Sequence, residues 1–501
     1  MVNRAFAAFA LAGMLAALGG CATFDRVTER RESSEFTVPE CAEWFRALDD
    51  AIDQAGVRDV QAARVAGFPY LRVDRFTASL TEAARTDERA LDALLERLAS
   101  IDLEARAHEI ANLTQAQLKA AWDGLGEPDV ATALTQTREC GNRMRVFDID
   151  SRESGEELLG RLSVPDEYVL SYRLFGLYPL ARIPFSYGIE RHEESVRAAY
   201  ARDLQAAARG AVVRFSPASR PRMDAAKVRD ILARALDNPL RIPTPSDDEL
   251  DQLFALYAPS FELETLGDYD RPGALRWRWG EVPEVDSADP AVYRNVAYTR
   301  YRGHNLLQLV YTIWFSQRPP QSRYDLLSGA LDGVVFRVTL SPDGKPVVYD
   351  TMHPCGCYHM FYPTSRATPL PAPPGEPEWA LVPQSLPAMG PTDRVVVRVA
   401  SATHYVERVV HDQDDSLARY DLRPYDELRS LRRMRGDRAS VFGAHGIIPG
   451  TERAERFLFW PMGIRSAGAM RQWGRHATAF IGRRHFDDAD LFERRFELDL
   501  R

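Results

Sequence analysis

Apolar residues recur at helical spacing through the first half of the chain. Trp44, Phe45, Leu48 and Ile52 mark one stripe, ended by Gly56, and Leu91, Leu94, Leu95, Leu98 and Ile101 mark a second. Val228, Ile231, Leu232, Ala235 and Leu236 mark a third, stopped by Asn238-Pro239. Ser246 and Glu249 form a capping box ahead of Leu250, Leu253, Phe254 and Tyr257, and Pro259 halts that helix. Such stripes predict core packing and carry no function. Residues 164–190, rich in Pro, Tyr and Gly, break the pattern; their aromatics fit either the lining of a groove or packing between domains.

The pattern changes near Gly273. Leu275, Trp277 and Trp279 alternate with Arg276 and Arg278, as in a half-buried strand. Val334 to Leu340 and Val347 to Tyr349 flank Ser341-Pro342-Asp343-Gly344, which predicts a β-hairpin. Residues 394–410 form the strongest strand candidate, and His304 to Phe315 reads as a buried helix. Pro369 to Pro387 reads as a long connection. The expected fold class is α+β: a mainly helical region over residues 39–260, followed by a β-rich C-terminal region over 261–501.

The amino terminus has a different character. Arg4 precedes an apolar run from Ala5 to Ala17, and Leu18-Gly19-Gly20-Cys21 follows. The run is shorter than the roughly 20 residues a membrane span needs. Together these features resemble a secretory leader ending in the lipobox of bacterial lipoproteins. The resemblance implies removal of residues 1–20, diacylglycerol on the Cys21 thiol, acylation of the new amino terminus, and a flexible tether over 21–38. The lipid bilayer is then a partner through acylated Cys21. Ala22, in place of Asp, favours the outer membrane, with the body facing the periplasm or the cell surface.

The net charge of −9 gives nucleic acid no basic footprint. Lys119, Lys227 and Lys345 are the only lysines among 63 basic residues, a bias that reads as GC-rich codon usage rather than anion recognition. Five cysteines are present. With Cys21 used for lipid, Cys41, Cys140, Cys355 and Cys357 remain for an oxidising compartment, and Cys41–Cys140 is the candidate disulfide.

Eight of the ten histidines fall after residue 300. The densest cluster is His353-Pro354-Cys355-Gly356-Cys357-Tyr358-His359. Laid out as a strand, its end imidazoles would stand about 20 Å apart, too far for one ion. Pro354 and Gly356 permit a tight turn instead. Three chemistries fit the turned cluster. Cys355 and Cys357, with His353, His359 and His404, are candidate ligands for zinc, copper or iron; an open position on the metal would allow hydrolytic or oxidative chemistry. A Cys355–Cys357 disulfide, structural or redox-active, is the second. Core cysteines beside hydrogen-bonded histidines are the third. The mixed charge after Asp421 reads first as intramolecular ion pairs, with an anion pocket around Arg453, Arg456, Arg465 and Arg475 as the sharper alternative.

No H-E-x-x-H, G-x-x-x-x-G-K-[ST], G-x-S-x-G or C-x-x-C-H occurs, so no catalytic residue is assigned. Three functional readings follow: an envelope lipoprotein with a transition-metal site in its C-terminal region, a non-catalytic envelope scaffold with a protein partner and structural cysteines, and a periplasmic thiol–disulfide exchange protein.

Overall fold

A computed structural model describes Arg31 and residues 38–122, 128–203, 210–278, 282–412 and 418–501. The leader, Cys21 and the 21–38 tether, apart from Arg31 and Val38, lie outside the described residues. The fold class is α+β. The chain divides into two compact units, Met1–Arg58 with Ala62–Val164, and Asp59–Gln61 with Pro165–Arg501.

In the first unit, α1 (Val38–Ala55) buries Val38, Cys41, Trp44, Phe45, Leu48 and Ile52, the stripe read from the sequence. It packs on α3 (Val130–Asp148), as does α2 (Glu88–Asn112), and a short hairpin of β1 (Ala63–Val65) and β2 (Phe68–Val73) lies on α2. The core is not purely apolar. Arg72 and Arg106 are fully buried. Arg72 reaches Asp102 at 3.0 Å and Glu109 at 2.7 Å, and Arg106 reaches Asp102 at 2.8 Å and Asp49 at 3.0 Å. Each buried guanidinium thus meets carboxylates, without which burial would cost on the order of several kcal/mol. A disulfide joins Cys41 of α1 to Cys140 of α3.

The second unit begins with α4 (Leu170–Phe175) and α5 (Tyr178–Tyr200), and adds α6 (Ala225–Ala235) and α7 (Asp247–Tyr257), the latter capped by Ser246 and Glu249 as expected. Its strands are β3 (Ala211–Pro217), β4 (Ser260–Thr265), β5 (Ala291–Tyr301), β6 (His304–Arg318), β7 (Gly329–Leu340), β8 (Pro346–Met352), β9 (Met360–Pro363), β10 (Val395–Val399), β11 (Val406–His411) and β12 (Ala418–Pro424). They form one sheet in the order β9-β8-β7-β6-β5-β12-β3-β4-β10-β11. The run from β5 to β9 is an antiparallel meander, and β12 joins both β5 and β3 in parallel. The sheet curls until its edges approach one another. The Tyr200 hydroxyl, at the end of α5, lies 2.6 Å from the Tyr362 hydroxyl on β9 and donates to the Val406 carbonyl on β11 at 3.0 Å.

Two expectations are corrected. His304–Phe315 is not a helix but most of β6, with every residue from Asn305 to Phe315 buried between β5 and β7. A strand covered on both faces is apolar throughout, so it lacks the period-2 signal of a half-buried strand. Residues 394–410 make two strands, β10 and β11, reversed at 400–405. The two compact units divide after Val164, and β3 and β4 bring strands from the mainly helical stretch before residue 265 into the sheet. The hairpin at Ser341–Gly344 joins β7 to β8, with the Ser341 N–H donating to the Lys345 carbonyl at 2.9 Å. The sheet unit also claims Asp59, whose carboxylate accepts from Arg429 and Gln472, each at 2.8 Å.

The disulfide closes a span of 99 residues. A Cys41→Ser/Cys140→Ser protein is expected to lose about 2–5 kcal/mol, mostly through a freer unfolded chain. Urea unfolding followed by circular dichroism tests this, and a midpoint equal to that of the parent would refute it.

Candidate functional site

The cluster at 353–359 is the loop between β8 and β9, and it is turned as Pro354 and Gly356 suggested. The His353 N–H donates to the Cys357 carbonyl at 2.9 Å, and the Gly356 N–H to the His353 carbonyl at 2.8 Å. Gly356 has φ +91°, and a Cβ there would stand 2.4 Å from the Ala477 carbonyl oxygen. Only glycine meets both demands.

The turn brings the two sulfurs together. Both cysteines are free thiols, and the Cys355 sulfur accepts the Cys357 N–H at 3.4 Å. The hydrogen bond from the Cys357 thiol, helped by the Arg453 charge, lowers the Cys355 pKa against the effect of burial. The same sharing, together with burial, pushes Cys357 well above the usual thiol range. The Cys357 thiol thus donates to the Cys355 sulfur, the arrangement of a paired dithiol.

The imidazoles go elsewhere. His353 Nδ1 lies 3.1 Å from Asp332 Oδ1 and His404 Nδ1 lies 3.0 Å from Asp332 Oδ2, while His404 Nε2 faces Asp270 at 3.5 Å. His359 Nε2 lies 2.9 Å from Asp350, which also takes Arg337 in a two-pronged pair at 2.9 and 2.6 Å. Among the described residues, no three of Cys355, Cys357, His353, His359 and His404 bring ligand atoms within 4.8 Å of one another.

Charge explains these choices. Burial would raise the Asp332 carboxyl, but the His353 ring, the Arg453 guanidinium and His404 outweigh it and hold the group well below its usual range. Burial would lower His404, yet hydrogen bonds to Asp270 and Asp332 outweigh it and raise the ring where it sits between two carboxylates. Its ring stacks on Phe315 at 4.0 Å. His353 and His359 are lowered by burial more than their aspartates raise them, His359 to about 3. Four non-glycine residues around this cluster adopt the left-handed region: Leu331, Tyr358, Ala402 and His404. Such strain persists only where packing imposes it, and it concentrates at functional sites.

Beside the cluster lies a cavity of about 520 Å³. Phe185, Ile189, Leu381, Leu458, Phe459 and Phe480 supply apolar walls, and Cys357, Tyr358, His359, Glu378 and Glu455 supply polar groups. Burial, opposed by Arg453 and Arg318, pushes the Glu455 carboxyl up to about 7. Burial also raises Glu378, whose carboxylate accepts the N–H groups of Phe480 and Ile481 at 2.6 and 3.0 Å. An apolar cavity with a few converging polar groups of shifted pKa is the usual form of a small-molecule site.

Two of the late arginines meet backbone carbonyls and the ion pairs that the mixed charge predicted. Arg453 donates to the carbonyls of Leu327 and Leu331 and faces Asp332, and Arg475 pairs with Glu167 at 2.9 Å. Sequence reasoning missed Asp332, Asp270, Glu378 and Glu455. The first had a signal: an acid inside the apolar run Leu331-Asp332-Gly333-Val334-Val335 demands a buried cation.

No protein-family model matches this chain, and no curated protein or solved structure matches it.

His359 is neutral in the fold down to about pH 3, whereas an unfolded histidine takes its proton near about 6.5. Below that pH the unfolded chain binds the extra proton, so this residue removes about 1.4 kcal/mol of stability per pH unit as the medium is acidified towards 3. A His359→Gln protein is expected to show a shallower fall of Tm between pH 6 and pH 4 than the parent. Parallel curves would contradict the assignment.

Proposed function

We propose that this protein is a lipid-anchored envelope protein whose sheet unit binds an elongated apolar or amphipathic molecule in the cavity beside the 353–359 loop. The leader and lipobox support the anchor. The cavity carries the binding reading: its walls are aromatic and aliphatic, and its polar groups are few. Its volume lies within the roughly 300–1,000 Å³ typical of small-molecule sites. In this reading, Phe185, Phe459 and Phe480 hold the apolar body of the ligand, and Cys357, Tyr358, His359 and Glu455 meet its polar end. A carboxyl titrating near neutrality, such as Glu455, donates a hydrogen bond when protonated and accepts one when ionised.

Fluorescence titration with a dansylated fatty acid is the direct test, and saturable one-to-one binding is expected. Gly188 lines the cavity, and a Cβ there meets nothing within 4 Å. Gly188→Trp should therefore weaken binding by about tenfold or more at unchanged Tm, by occupying space the ligand needs. A parent protein that shows no saturable binding sinks the proposal.

The meeting of two free sulfurs favours a second reading, a transition metal on Cys355 and Cys357. It requires His353, His359 or His404 to leave its aspartate. Elemental analysis of untagged protein separates the two. The cavity reading expects two alkylatable thiols and no bound metal. Stoichiometric zinc, copper or iron that vanishes in Cys355→Ser/Cys357→Ser would establish the metal instead.

A further inference from the structure

α5 has no buried residue along its 23 positions. Its character changes partway: Leu180, Ile183 and Tyr187 are more than 60% exposed, and the charged run Glu190-Arg191-His192-Glu193-Glu194 follows. Leu174 and Phe175 at the end of α4 are equally bare, Phe175 at 77%. Next to them lies α8 (Arg456–Phe459) with the turn that follows it. The Tyr172 ring meets Trp460 at 6.2 Å, and a Cβ on Gly176 would strike Pro461 at 2.6 Å, so the two segments lie in direct contact. Phe457 on α8 is 72% exposed. The exposed side chains form one apolar face. Single exposed apolar residues are ordinary, but a continuous face of them marks a binding surface.

That face adjoins the cavity. Leu458 is more than half exposed and also lines the cavity. Behind it, Phe459 packs on Phe185 at 5.4 Å and on Phe480 at 4.9 Å, and all three rings line the cavity wall. Two features identify what covers the face. Arg182 and Arg456, each next in sequence to an exposed apolar residue, pair with no carboxylate among the described residues. Among the described residues the Arg182 side chain donates to the Gly375 carbonyl and Arg456 lies over the Phe457 ring, which leaves both guanidinium groups suited to lipid phosphate. The other feature is the lipobox cysteine. From Cys21 to Val38 the chain reaches at most about 60 Å when fully extended, so an acylated Cys21 keeps the body close to a leaflet. No helix among the described residues is long and apolar enough to cross a membrane.

We infer that α4, the first half of α5 and α8 insert as one face into an anionic phospholipid bilayer, and that the cavity takes its ligand from that bilayer. Loading from the bilayer rests on the cavity reading; the docking itself stands without it. The apolar side chains enter the boundary between headgroups and acyl chains, Arg182 and Arg456 hold phosphates at that level, and the charged second half of α5 stays in water. A ligand drawn from the leaflet then passes Leu458 without exposing its apolar body.

The test uses the chain from position 21 onward with Cys21→Ser, which carries no acyl group, and sedimentation with phosphatidylethanolamine/phosphatidylglycerol vesicles. Binding to the vesicles is expected, with the Trp460 emission quenched by brominated acyl chains. Adding Phe175→Asp, Leu180→Asp and Ile183→Asp should reduce the partition coefficient at least about tenfold, because each apolar group withdrawn from the boundary forfeits its transfer energy. Circular dichroism and Tm should stay unchanged, since all three side chains are exposed. Absence of vesicle binding in the unacylated chain overturns the inference, as does equal binding by the triple variant. A dimer in sedimentation velocity that the triple variant dissolves also overturns it, by giving the face to a second copy. Gly188→Trp keeps vesicle binding while losing the fatty acid, so a failure of the cavity reading and a failure of docking give different results.

Discussion

Asp332 holds a negative charge at a position closed to water, and the sheet unit is arranged around the need to satisfy it. A lone buried carboxylate costs several kcal/mol even after local relaxation. Its partners come from three remote parts of the chain: His353 from the β8–β9 loop, His404 from the β10–β11 reversal, and Arg453 from the C-terminal segment. They converge only when the ten strands have curled. Tyr200 spans the same seam with hydrogen bonds to both edges. The charge therefore selects the curled sheet over a flat one, and the same contacts keep Leu331, Tyr358, Ala402 and His404 in backbone conformations that cost about 1–3 kcal/mol each.

Much of the first unit was legible because its helices each turn one face to a core. The stripe Trp44-Phe45-Leu48-Ile52 is buried where helical spacing puts it, and in the sheet unit Ser246 and Glu249 cap α7 reciprocally, also as read. β6 was not legible for a physical reason. It lies between two strands and under cover on both faces, so Gln308, which looked like an interruption, simply donates to Thr339 on β7 at 3.0 Å. The reversal between β10 and β11 was hidden because Ala402 and His404, rather than glycine or asparagine, carry the left-handed turns. Residues of that kind give no turn signal; the Asp270 carboxylate imposes the turn by accepting the Ala402 N–H and the Ser401 hydroxyl.

The candidate site was legible in part for the same reason. Pro354 and Gly356 announce a bend, and the bend pairs Cys355 with Cys357. Where the imidazoles point depends on acids buried in strands that are otherwise apolar, Asp332 in β7 and Asp350 in β8. Those acids, more than any property of the histidines, decide which side chains remain available to a ligand. Glu378 and Glu455 reach the cavity from irregular segments far apart in the chain, and no local pattern joins them. Both units share this habit: Arg72 and Arg106 in one, and Arg337 with Asp350 in the other, place ionic pairs where most cores hold only hydrocarbon.

The three residues Asp59–Gln61 belong to the sheet unit although the other unit surrounds them in the chain. The polypeptide accordingly passes from one unit to the other three times rather than once. A gene trimmed at residue 165 would encode every strand of the sheet and still omit Asp59, leaving Arg429 and Gln472 without the carboxylate they share. Neither half is a cassette that evolution or a cloning experiment can move with a single cut. During synthesis, the tripeptide emerges long before Arg429 and must wait for it, so the sheet unit completes only after nearly the whole chain has been made.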